Sequence, residues 1–195
     1  MFSAIEMLKS VKLAQPPQAA NAQQVFASSL QQVATLIKAD LGVEVVFLDL
    51  SGWDTHSNQG AVEGAGTLRQ PLTQFAQGLA AFSRALGDRI EDVVVLTMSE
   101  FGRTAKENGS MGTDHGHGNA MFVMGGPVAG GKVYGKWPGL AKEQLYEERD
   151  LAVTTDFRDV FASLLKEHLG CQKLESVFPG YTLDPQNLPN LLKGA

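Results

Sequence analysis

Asp54-Thr55-His56, Glu100 with Arg103, and Asp114-His115-Gly116-His117 are the stretches whose side chains could do chemistry. A carboxylate and an imidazole two positions apart in extended backbone project to the same side, so Asp54 and His56 could grip one cation. Glu100 adds an oxygen donor, and Arg103 adds a guanidinium able to pair with an anion. Asp114, His115 and His117 lie among Gly109, Gly112, Gly116 and Gly118, residues that let backbone approach a ligand closely. His56, His115 and His117 all fall in these loops, which leaves only His168 of the 4 histidines elsewhere. Clustering of the scarcest ligand type points to a divalent-metal site of the hydrolase type. The metal is zinc if imidazole dominates the ligand set, and manganese or calcium if carboxylate does.

Taken one at a time, these groups have plainer structural accounts. Asp54 can cap a turn while His56 is solvated, and Glu100 with Arg103 can be a structural ion pair, the better account of that pair alone. Asp114 can bond its own backbone in a turn. His168, inside an amphipathic segment, reads as a surface or capping residue. Rival chemistries are weaker still. Met98-Ser99-Glu100-Phe101-Gly102 lacks the first glycine of a serine nucleophile elbow. Gly125-Gly126-Pro127 and Gly130-Gly131 do not precede a helix, as a phosphate-cradling loop would.

The elements that must position these loops are legible as patterns. After Asn21, a good helix cap, Phe26, Leu30, Val33 and Ile37 recur at helical spacing until Leu41-Gly42. Val43 to Leu50 is almost continuously apolar and rich in β-branched residues, as a central parallel strand requires. Leu68, Leu72, Phe75, Leu79, Phe82 and Leu86 follow in helical steps, closed by Gly87. Asp92 to Met98 reads as a second buried strand and Ala120 to Met124 as a third. A helix capped by Thr155-Asp156 carries Val160, Phe161, Leu164 and Leu165, and the tail from Phe178 is proline-punctuated and irregular.

Strand, helix, strand in this order implies a right-handed crossover and a parallel sheet. Ligands of such sheets bind beyond the carboxyl ends of the strands, where two of the polar loops begin. The expected fold is therefore α/β, a mostly parallel sheet flanked by helices over residues 22–195, preceded by an N-terminal helix and linker over 1–21.

Composition narrows the function classes. With 195 residues, 44% hydrophobic and 19% charged, the chain can bury a continuous core. A formal charge of −5 gives no broad basic face for nucleic acid. Cys171 is the one cysteine, so neither an intrachain disulfide nor a thiolate cluster can form. No apolar run approaches the roughly 20 residues of a membrane span, and Met1 to Lys12 lacks the basic and apolar segments of an export signal.

One further pattern spans most of the chain. Gly52-Trp53-Asp54-Thr55-His56 is followed by Ser99-Glu100-Phe101-Gly102-Arg103-Thr104 and Gly112-Thr113-Asp114-His115-Gly116. Next come Gly125-Gly126-Pro127-Val128, Gly131-Lys132-Val133-Tyr134-Gly135, Thr155-Asp156-Phe157-Arg158 and Val177-Phe178-Pro179-Gly180. This ordered series, over residues 43–181, resembles the uncharacterised bacterial proteins labelled as twin-arginine-pathway signal domain proteins. Those are related to the alkaline phosphatase and sulfatase superfamily.

The resemblance implies an alkaline-phosphatase-like fold and hydrolysis of small phosphate or sulfate esters at one or two metals. It implies that Asp54 and His56 ligate one ion with a histidine from the later loop, His115 or His117. Glu100 stands where relatives carry an Asp-His ligand pair, a departure from their pattern. An exported or periplasmic location is implied as well. Relatives carry an aspartate ligand and a nucleophile upstream of the first motif, and no matching strand precedes Gly52 here. The expectation is a C-terminal portion or shortened relative of the fold, catalytic only if completed by an N-terminal half, or else a non-catalytic binding or assembly module whose open edge strand could pair with another chain, with a homo-oligomer possible. In the catalytic case the cation polarises a phosphoryl or sulfuryl oxygen, and Arg103 balances developing negative charge.

Overall fold

The computed structural model describes residues 22–60 and 66–194, together with Val11 and Gly64. The expected N-terminal helix and linker over 1–21 lie outside the described residues, apart from Val11. The chain divides into two compact units, residues 1–90 with 109–112 and residues 91–108 with 113–195.

In the first unit the helical periodicities are realised. Helix α1 spans Ala22–Lys38 and helix α2 spans Arg69–Leu86, ending at Gly87. Phe26, Leu30, Val33 and Ala34 of α1 are buried, as are Phe82 and Leu86 of α2. The two helices pack face to face, with Phe26 and Phe75 rings stacked at 6.4 Å. A Cβ added at Gly78 would meet the Phe26 ring at 2.9 Å, so a glycine there lets the helices come close. A 3₁₀ segment, Gly87–Asp92, leads into the second unit.

Val43 to Leu50 does not form the expected central strand. Among the described residues it takes part in no ladder, and Val45 and Phe47 are 74% and 84% exposed. The reason lies in α2, whose apolar face is occupied by α1 rather than covering a sheet, so no strand–helix–strand crossover is built.

Among the described residues the second unit holds four short strands, β1 (Val94–Leu96), β2 (Gly102–Arg103), β3 (His115–Gly116) and β4 (Val123–Gly125). They form two separate two-stranded sheets, both antiparallel. β1 pairs with β4 in the register Val94↔Gly125, Val95↔Met124 and Leu96↔Val123. The bond from Thr97 N–H to the Phe122 carbonyl, 3.0 Å, continues that ladder. β2 pairs with β3, Gly102↔Gly116 and Arg103↔His115. Strand positions near 92–98 and 120–124 are thus correctly located, but the mostly parallel, alkaline-phosphatase-like sheet is overturned. The chain between β1 and β4 carries no helix, so it returns as antiparallel neighbours do.

The core of this unit gathers Val128, Leu164, Leu191 and Leu192, with Val94, Leu96, Val123, Tyr134 and Val160 packed against them. Leu164 and Val160 come from α3 (Phe157–Glu167), which a short helix α4 (Leu174–Val177) follows. The tail is irregular, as expected, yet it is anchored. The Ala129 and Lys193 N–H groups donate to the Leu191 and Pro127 carbonyls at 2.7 and 2.8 Å, and the buried Ser163 hydroxyl donates to the Pro189 carbonyl at 2.6 Å. No helix among the described residues is long and apolar enough to cross a membrane.

Candidate functional site

In the first unit, the loop after Leu50 brings Asp54 and His56 together. The Thr55 N–H donates to the Trp53 carbonyl at 2.8 Å, pinching the backbone at Asp54 rather than leaving it extended. Trp53 packs edge-on against Phe75 of α2 at 5.9 Å, which ties the loop to the helix pair. Below the pair, the buried Gln59 donates from Nε2 to the Thr55 carbonyl and hydroxyl at 3.0 and 2.9 Å. Gly112 lies against the His56 carbonyl so closely that a Cβ there would collide with it. The outcome is an Asp54 Oδ1 to His56 Nε2 separation of 3.0 Å, with both side chains exposed.

That separation is a hydrogen bond in the absence of an ion. Donor atoms sharing one tetrahedral zinc at bond lengths of about 2.0–2.2 Å sit about 3.3–3.6 Å apart, so the pair would have to open by a few tenths of an ångström to hold a cation.

In the second unit, pairing of β2 with β3 sets Arg103 opposite His115. The His115 ring stacks on Phe101 at 4.0 Å and 9°, and the Arg103 guanidinium lies 5.0 Å from the same Phe101 ring. Arg103 Nη1 also donates to the Thr113 carbonyl at 2.9 Å. Phe101 was not singled out by sequence reasoning, although it sits inside the Ser99–Thr104 motif.

Asp114 accepts from Asn108 Nδ2 at 3.0 Å, and its backbone exchanges bonds with Thr104, so it braces the loop between β2 and β3. Glu100 is exposed at the bend before β2.

His117 meets residues that no motif announced. Its Nδ1 lies 2.9 Å from Oδ2 of Asp150, a carboxylate that is 0% exposed. Arg149 reaches both carboxylate oxygens, with Nε to Oδ1 at 2.8 Å and Nη2 to Oδ2 at 3.0 Å. These donors, Arg149 first, hold the Asp150 carboxyl below its ordinary range against the opposing effect of burial. The Tyr146 ring packs against His117 with centroids 4.1 Å apart.

Tyr146 to Asp150 is a tight hairpin. The N–H groups of residues 146 and 150 each donate to the other's carbonyl, at 2.8 and 2.9 Å, while Glu147 and Glu148 take left-handed backbone at φ 50 and 56. Tyr146, Arg149 and Asp150 are distant in sequence from His117 and carry no recognisable spacing, so only the folded chain discloses them.

A family profile described as "Protein of unknown function (DUF1501)" matches residues 6–177. No curated protein and no solved structure shows significant similarity to the chain.

Proposed function

We propose that the chain, which belongs to the DUF1501 family of proteins of unknown function, is a metal-dependent hydrolase-like domain acting on phosphate or sulfate esters. The single observation that carries this reading is the 3.0 Å approach of Asp54 Oδ1 to His56 Nε2 on an exposed loop. It supplies one hard and one borderline donor, a mixture that suits zinc, with manganese or calcium as the alternatives. Within the second unit the same reading gives Arg103 the role of balancing negative charge. Glu100, Asp114, His115 and His117 are its further candidate donors. A bound divalent cation supplies Lewis-acid polarisation of the ester oxygen. The kinship with phosphatases and sulfatases, and the exported or periplasmic location, rest on the order of motifs from Gly52 to Gly180.

Metal analysis of protein purified without chelator is expected to find about one or two ions per chain, as in sites of this kind. Asp54→Ala and His56→Ala are each expected to abolish retention, and zinc-dependent turnover of aryl phosphate, phosphodiester or sulfate esters should vanish with them. A wild-type chain that retains no ion sinks the proposal.

A second reading, a non-catalytic binding or assembly module, is favoured by the exposed apolar stretch around Val45 and Phe47. It predicts a stable homo-oligomer on size-exclusion chromatography and no turnover with any ester or added metal.

A further inference from the structure

We propose that a cavity beside the start of α3 is a binding site for a small primary ammonium ion, separate from the metal chemistry above. The cavity has a volume of about 390 Å³, within the usual range of about 300–1,000 Å³ for small-molecule sites, and it lies wholly in the second unit. Thr154, Thr155, Asp156, Asp159, Tyr181 and Asn187 line it.

The lining is rich in hydrogen-bond acceptors that have room for a donor. Asp159 is 4% exposed, and among the described residues only its Oδ1 is engaged, accepting from the Tyr181 hydroxyl at 2.9 Å. Its Oδ2 is left without a donor, which is costly for a buried carboxylate. Burial first, and then the bond to Asp159, hold the Tyr181 hydroxyl above its ordinary range, so its proton stays on the phenol and the oxygen keeps an open lone pair. The Thr154 hydroxyl donates to the Lys136 carbonyl at 2.7 Å, which likewise leaves an acceptor. Among the described residues the side chains of Thr155 and Asn187 make no hydrogen bond, and both are exposed at the rim.

Charge selects among ligands. Arg158 lies beside these carboxylates, but its guanidinium is already engaged, gripping Asp156 at 2.8 and 2.6 Å and stacking over the Tyr181 ring at 3.6 Å. One arginine against two aspartates leaves a single net negative charge, so an anion is repelled and a monocation is neutralised. The N-terminus of α3, which would otherwise favour an anion, is capped by Asp156. A sugar supplies donors without charge and leaves Asp159 uncompensated. A primary ammonium brings both the charge and several N–H donors to Asp159, Tyr181 and Thr154, while the exposed Val153 offers an alkyl chain an apolar edge.

The test is an amide NMR titration of the full chain in EDTA with n-butylammonium, tetramethylammonium, glucose and inorganic phosphate. n-Butylammonium is expected to shift the amide signals of Thr154, Thr155, Asp159 and Asn187 to saturation. Tetramethylammonium, which has the charge but no N–H, is expected to leave them in place. Asp159→Asn is expected to weaken n-butylammonium binding about tenfold or more, as for a lost bond to a charged group. Thr154→Val, at the exposed rim, is expected to weaken it about 2–10-fold and decides the matter if Asp159→Asn fails to fold. Equal shifts with tetramethylammonium, shifts with glucose or phosphate in place of n-butylammonium, no response to any of the four, or unchanged affinity in the folded variants overturns the inference. Because the titration is run without metal, neither outcome bears on the metal-dependent reading.

Discussion

Gly102 shows how much a single position can decide. It lies on β2 directly against residue 118, where a Cβ would collide with the Gly118 carbonyl oxygen and press on the His117 carbonyl carbon. The glycine therefore lets the strand bearing Arg103 lie flush with the backbone bearing His117. Gly102→Ala is expected to cost about 1–3 kcal/mol, the usual range for forcing atoms into a packed site. Urea denaturation monitored by tryptophan fluorescence measures it. Undiminished stability would mean that the two backbones are not in contact. At this scale the sequence was informative about residue type: Asp54 and His56 lie 3.0 Å apart, and Gly112, Gly116 and Gly118 mark close backbone approaches, whereas Gly109 faces open space and Gly102 was not singled out. It was silent about Asp150, because a buried carboxylate looks like any surface aspartate until its partners are known.

Among the elements, α3 begins with the most local logic. The Asp156 side chain accepts from the Arg158 N–H at 2.9 Å, and the Arg158 guanidinium grips the same carboxylate at 2.8 and 2.6 Å. Asp156→Ala is expected to lower stability by about 1 kcal/mol through loss of the cap.

The pH dependence of this cap has a definite sign. Arg158 is the main reason that the Asp156 carboxyl is held below its ordinary range in the fold, so the unfolded chain binds the proton more readily. Its contribution is fully present above the unfolded value, about 3.9, and is lost as pH falls through the folded one. Wild type and Asp156→Ala should therefore differ in thermal midpoint at neutral pH and converge on acidification below about pH 4. A gap that widens in acid would contradict this account of the cap. The helices as a class were readable, since cap, period and stop are all encoded within a few turns.

For the molecule as a whole, burial separates residues that look equally apolar in one dimension. Leu191, in the irregular tail, is 2% exposed, whereas Phe47, in the most strand-like segment of the sequence, is 84% exposed. Leu191→Ala is expected to cost about 2–5 kcal/mol, and Phe47→Ser to stay within about 0.5 kcal/mol as a surface change. Parallel chemical denaturation curves compare them, and the reverse ranking would show that Val43 to Leu50 is packed after all. The segment's composition invited the strand assignment. Composition reports what a segment could pair with, and says nothing of whether a partner arrives.

What the sequence determined by itself is what depends on near neighbours. The helix faces of α1, α2 and α3, the Asp156 cap, the locations of β1 and β4, and the gathering of scarce ligand types into three loops all belong to this class. Tertiary structure alone decided that β1 pairs antiparallel with β4, that α2 packs on α1 instead of a sheet, that the tail closes a core, and that Asp150 stands behind His117. Periodicity and capping arise from bonds and contacts a few residues apart. Strand partners and buried ion pairs depend on which distant segments win the competition for one another's surfaces, and that outcome exists only in the folded chain.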